Sequence, residues 1–162
     1  EVVDFRCWLP KNFYRKKGLK ENLRCLSFVM LRLGGRGPLF RMHLDSRHLE
    51  EFNLLGRNQC FARIAELLEA MPGVRGLVGT SWFYDPQLET ISPNLHYLRK
   101  VPMDGGAFLR IDGPGESHTQ RATIRSRTRK KLYEEGKYLP VCATVVWPRK
   151  DILAWSKRMA LN

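Results

Sequence analysis

The sequence predicts an α/β (or α+β) fold, a three-layer domain with a mixed, partly antiparallel sheet flanked by helices. Three observations carry this. Apolar residues recur at helical spacing in some segments and alternate in others, and the two kinds of segment follow one another along the chain. Residues 39–45 alternate cleanly, with Phe40, Met42 and Leu44 on one side and Arg41, His43 and Asp45 on the other. Residues 76–84 carry no charge at all, the mark of a strand covered on both faces.

Taken in order, the first segment is the least defined. Pro10 and Gly18 punctuate residues 1–23, and Arg15-Lys16-Lys17 is a charge run, so this reads as a basic N-terminal arm, extended or a short helix. Residues 24–162 read as a single α/β domain. Residues 24–32 read as a strand, and Gly34-Gly35-Arg36-Gly37-Pro38 as the turn joining it to 39–45 in a hairpin. Ser46 is a candidate cap for helical spacing over 47–71, which Gly56 divides in two and Met71-Pro72-Gly73 ends. A central strand follows from Val74 to Tyr84, stopped by Asp85-Pro86. Ser92-Pro93 has the form of a helix start, with a short helix over Leu95 to Arg99. Gly105-Gly106 opens a strand through Ile111, and Gly113-Pro114-Gly115 closes it. A basic helix runs from Ser126 to Glu135 with Gly136 at its stop. Pro140 to Trp147 is an apolar strand. Asp151 to Met159 is a helix with Ile152, Leu153 and Trp155 inward.

Charge narrows the partners. There are 28 Lys and Arg against 16 Asp and Glu, a net charge of +12. It is concentrated at the two ends: residues 1–47 are net +7 and residues 101–162 net +6, around a middle of −1. Such a field attracts an anionic ligand, whether nucleic acid, acidic lipid or a phosphorylated small molecule. The alternative is a solubilising surface or an acidic protein partner. The unbroken apolar runs are too short for a membrane span. Glu1 rather than Met at the start suggests processing or a longer parent chain, and Asp4 and Arg6 interrupt anything resembling a secretory signal. The four cysteines lack C-x-x-C spacing, which points to reduced thiols in a cytoplasmic protein.

Four groups of residues have chemistry to offer. Arg32 to Gly37 spells R-x-x-G-x-G, a loop whose glycines let backbone N–H groups approach a pyrophosphate; the competing reading is an ordinary turn with exposed arginines. Arg121, Arg125, Arg127, Arg129, Lys130 and Lys131 crowd into eleven residues without an acid, and Ser126 sits at that helix's start. They suit phosphates, or they make a solvated face. His43 and Asp45 share a strand face, where a carboxylate can orient an imidazole as a general base; His48 is near in sequence. No set of ligands has metal spacing, so no metal is expected. Thr80, Ser81, Tyr84 and Asp85 stand at the end of the central strand, where ligands gather in open α/β sheets. Asp85 is there either a base or a cap of the turn.

The run Ser126-Arg-Thr-Arg-Lys-Lys-Leu132-Tyr133-Glu-Glu-Gly136-Lys-Tyr138, followed by strand 140–147, resembles the C-terminal part of the GNAT superfamily of N-acetyltransferases, and Arg32 to Gly37 matches that superfamily's loop. The spacing departs at Gly136, one residue early, and at Arg129, where a small residue is usual. The resemblance implies acyl-CoA as cofactor, with pyrophosphate held by Arg32, Gly35 and Gly37; the reading of the basic helix adds Arg125, Ser126 and Arg129 as phosphate contacts. It implies Tyr133 as the acid that protonates the leaving thiolate; of the residues read above, His43 or Asp85 would be the base. The expectation is an acyl-CoA-dependent N-acyltransferase-like domain. The alternative is a non-enzymatic nucleic-acid-binding domain using the basic surfaces.

Overall fold

Two residues of one strand, Val146 and Trp147, show how the layers are arranged. Successive side chains of a strand point to opposite faces. Val146 joins a core with Phe13, Cys25, Phe28, Val29, Leu33, Leu39 and Val78. Trp147 instead meets Phe61 edge-on at 5.0 Å and Trp155 at 5.4 Å. Helices therefore cover both faces here.

The computed structural model describes residues 2–9, 11–14, 18–43 and 53–161. Its elements are β1 (Val2–Cys7), α1 (Leu19–Ser27), β2 (Leu39–His43), α2 (Leu54–Ala70), β3 (Gly76–Ser81), α3 (Leu88–Ile91), α4 (Tyr97–Asp104), β4 (Phe108–Gly113), α5 (Glu116–Thr123), α6 (Arg127–Glu134), β5 (Cys142–Pro148) and α7 (Arg149–Ala160). The sheet is open and mixed, in the order β1-β2-β3-β5-β4. β1 and β2 are antiparallel, with a bulge between Asp4 and Cys7. β2 and β3 are parallel, Phe40 opposite Leu77, and α2 is their crossover. β3 and β5 run in opposite directions: Arg149 N–H donates to Arg75 O at one end, and Thr80 meets Thr144 further along.

The fold class and the central strand stand as expected. β3 lies between β2 and β5 with its first four residues buried; residues 82–84 leave it as a 3₁₀ turn. β5 is buried throughout.

One element differs in kind. Residues 24–32 are helical, not a strand: α1 ends at Ser27 and continues as a π-turn over Phe28–Arg32, where Leu33 N–H donates to Phe28 O. The antiparallel partner of β2 is therefore β1. The physical reason is that α1 is apolar on two faces, Cys25, Phe28 and Val29 inward and Leu23, Leu26 and Met30 outward. The polar positions Lys20, Glu21 and Asn22 lie before residues 24–32, and the unbroken apolar run Phe28–Leu31 hides the helical period when that stretch is read alone. Gly56 does not divide α2, because it sits in the first turn, donating its N–H to Asn53 Oδ1 at 2.9 Å. Ser46 lies outside the described residues. The four cysteines are thiols, and no helix among the described residues is long and apolar enough to cross a membrane.

The chain divides into two compact units. The first comprises Glu1–Val78, Gly105–Phe108 and Val146–Asn162; the second comprises Gly79–Asp104 and Leu109–Val145. The first holds the two cores above. The second is centred on Trp82, Leu88, Ala122 and Tyr138, with Phe83, Ile91, Leu95 and Leu132 packed around them.

Candidate functional site

The glycine loop of the first unit is built by the π-turn before it. Widening the last turn of α1 lets Gly35 N–H reach back to Val29 O at 2.7 Å. The chain then reverses through Gly34 and Gly35, at φ 77° and 92°, a region that side chains resist. Arg75 N–H holds the loop's exit by donating to Pro38 O at 2.9 Å. The Arg75 side chain runs across the glycines: a Cβ on Gly37 would lie 2.6 Å from its Cδ, and one on Gly34 2.8 Å from Nη1. Arg36 places its guanidinium 5.2 Å from the Tyr14 ring centre. Arg32 is committed elsewhere, bonding Asp151 Oδ2 at 3.0 Å and Gly106 O at 3.5 Å. Arg36 and Arg75 have no carboxylate at ion-pair distance among the described residues. Among the described residues, two exposed guanidiniums thus stand without a carboxylate partner beside the glycines, a surface that attracts phosphate.

His43 ends the strand that this loop begins. Its Nε2 lies 2.8 Å from Asp4 Oδ2, both side chains being about half exposed. The predicted partner Asp45, like His48, lies outside the described residues. At about 3.3 Å per residue, β2 separates His43 from Leu39 by roughly 13 Å.

In the second unit several predicted residues turn inward. The Asp85 carboxylate is fully buried. Its Oδ1 accepts from Gln87 N–H at 2.9 Å; its Oδ2 accepts from Tyr138 Oη at 3.2 Å and Val141 N–H at 3.1 Å. Burial, and then the charge and hydrogen bond of Asp85, push the Tyr138 phenol well above the ordinary tyrosine range. Arg129 is buried against the Trp82 ring. Its Nε donates to Ala122 O at 2.6 Å and its Nη1 to Ser92 Oγ at 2.9 Å. Burial lowers its pKa. Ser126 caps α6 by accepting Arg129 N–H at 3.3 Å. Arg125 and Tyr133 are exposed, as are Arg121, Arg127, Lys130 and Lys131.

Two further groups had no clear signal in the sequence. Arg75 is 38 residues beyond Gly37, and only the fold brings it to the loop. A hydrogen-bonded line crosses three strands of the second unit. Thr80 Oγ1 meets Thr144 Oγ1 at 2.9 Å, Thr144 donates to Asp112 Oδ2 at 2.5 Å, and the buried Arg110 lies 3.7 Å from Asp112 Oδ1. Of the residues expected at the strand end, Thr80 is exposed, whereas Ser81 Oγ accepts from Phe83 N–H and Tyr84 is buried.

Among the described residues no three His, Cys, Asp or Glu side chains converge as a metal site would require. No protein-family model, curated protein or solved structure matches this chain.

Proposed function

We propose that this chain is an acyl-CoA-dependent N-acyltransferase-like domain. The observation that supports this best is the pairing of two features on one strand. Arg75 lies against the glycine loop before β2 and Arg36 stands within it, neither with a carboxylate partner among the described residues, and the His43–Asp4 pair closes the strand's far end. Acyl-CoA has the same layout, with phosphates and a reactive thioester at opposite ends of a long arm. Asp4 would orient His43 and stabilise its imidazolium. His43 would take the proton of an amine as its nitrogen attacks the thioester carbonyl. The C–N bond forms, the C–S bond breaks, and the thiolate takes up a proton. The resemblance gives that last role to Tyr133, which is 42% exposed on α6. Arg125 remains open to a phosphate, whereas the side chains of Arg129 and Ser126 are already bonded within the protein. Four thiols suit a reducing, cytoplasmic setting.

Calorimetric titration with CoA and acetyl-CoA tests the reading. Replacing Arg36 and Arg75 together by Gln should weaken CoA at least tenfold. His43→Ala should keep CoA binding and lose about 10² or more in acyl transfer to amines. No binding of CoA by the wild type, or transfer unchanged in His43→Ala, would overturn it.

A second reading rests on a separate surface. Arg121, Arg125, Arg127, Lys130 and Lys131 are all exposed on α5, α6 and the turn between them, where nucleic-acid phosphates can reach. Oligonucleotides bound more tightly than CoA, with steep salt dependence, would favour it.

A further inference from the structure

Among the described residues, nothing packs on the outward face of α1. Leu19, Leu23, Leu26 and Met30 recur at helical spacing, and with Leu31 they are 49% to 77% exposed. The opposite face is fixed: Cys25, Phe28 and Val29 lie in the core, and Phe28 stacks on Phe108 with ring centres 4.3 Å apart. Apolar side chains thus lie on two sides of this helix and its π-turn, and among the described residues only one side is packed. The spacing of Leu19, Leu23, Leu26 and Met30 makes them neighbours along one exposed ridge, not scattered surface residues.

Charge decides among possible occupants. Lys20 and Arg24 lie beside the ridge and are exposed, Arg24 pairing with Glu21 at 2.9 Å and lying over the Phe108 ring. In the sequence Arg15-Lys16-Lys17 immediately precede the helix, and residues 1–47 are net +7. A second copy would bring the same positive charge against itself, which opposes self-association through this face. A surface that is apolar beneath and anionic on top matches both features. We propose that the α1 ridge docks this protein on an anionic lipid surface, with the Leu and Met side chains entering the acyl boundary and the flanking cations meeting the headgroups. This is attachment in the plane of the membrane, without a span, and it is independent of the acyltransferase reading.

Vesicle co-sedimentation tests it, using neutral phosphatidylcholine vesicles and vesicles containing phosphatidylglycerol, each at two salt concentrations. The protein should bind the anionic vesicles at least tenfold more tightly than the neutral ones, and more weakly at high salt. Replacing Leu23 and Leu26 together by Glu should weaken that binding about tenfold or more, since it removes two side chains from the acyl boundary and adds negative charge. Both leucines are outside the core, so circular dichroism and the melting temperature should hold. In a second arm, Met30→Trp should gain a blue-shifted emission component on anionic vesicles that the wild type lacks. Three results would overturn the proposal: no binding to anionic vesicles, undiminished binding by the Leu23→Glu/Leu26→Glu variant, or no blue shift for Met30→Trp. Sedimentation velocity showing a dimer that the same double variant dissolves, without vesicle binding, would assign the ridge to a second copy instead.

Discussion

Asp85 and Arg129 show how burial can turn a reactive-looking side chain into a structural one. Both oxygens of the Asp85 carboxylate face donors, two of them backbone N–H groups. Asp85→Asn would set an amide NH₂ against a backbone N–H in either orientation. It should cost about 1–3 kcal/mol in urea denaturation, the range for leaving buried donors unpaired. Tyr138 gives a pH signature of the same cluster. Its folded pKa is raised, so the folded state keeps this proton after the unfolded chain, titrating near 10, has lost it. The resulting stabilisation is present below about pH 10 and declines as pH rises above it. Absorbance titration at 295 nm should show one of the five tyrosines ionising only beyond the ordinary range or on unfolding. Arg129→Gln should cost about 1–3 kcal/mol of stability and leave polyanion affinity nearly unchanged, because its side chain bonds within the protein.

At the scale of elements, α6 is the most self-explanatory. Ser126 starts it, and a Schellman motif ends it: Gly136 N–H bonds Tyr133 O at 3.0 Å and Lys137 N–H bonds Leu132 O at 2.8 Å. Gly136 has φ 69°, so Gly136→Ala should destabilise by ~1 kcal/mol, measurable as a lower melting temperature. Start and stop were both visible in the sequence because caps are local chemistry. α1 was hidden for the opposite reason. Its polar positions Lys20, Glu21 and Asn22 lay before the apolar run that read as a strand, and β1, the partner of β2, lay in a stretch read only as a basic arm. The uncharged run of β3 was legible because full burial excludes charge whatever the neighbours are.

For the whole molecule, charge makes the broadest prediction. A chain at +12 should bind polyanions with an affinity that falls as salt rises. If α5 and α6 contact phosphates, replacing Arg125 and Lys130 by Gln should flatten the plot of log affinity against log salt by about two, roughly one unit per lost contact. An unchanged slope in fluorescence anisotropy would remove that surface from the account. The candidate site was only half legible. The R-x-x-G-x-G run announced itself locally, whereas Arg75 and Asp4 reach their partners through strand pairing that no local pattern encodes. Of the basic helix, five of six cations remain outside and Arg129 does not, a distinction that depends on what Trp82 and Ser92 place beneath it.

The position of β5 bears on synthesis. Residues 142–148 are the last strand to be made, yet they lie between β3 and β4. A ribosome-bound chain that has released β1 to β4 still lacks the strand that joins β4 to the other three. Until it arrives, β3 and β4 each present an unpaired edge that a neighbouring nascent chain can occupy. A stop codon after residue 140 should therefore yield insoluble protein rather than a smaller soluble domain. Arrest-peptide force measurements should register the main folding event only after Pro148 has cleared the exit tunnel.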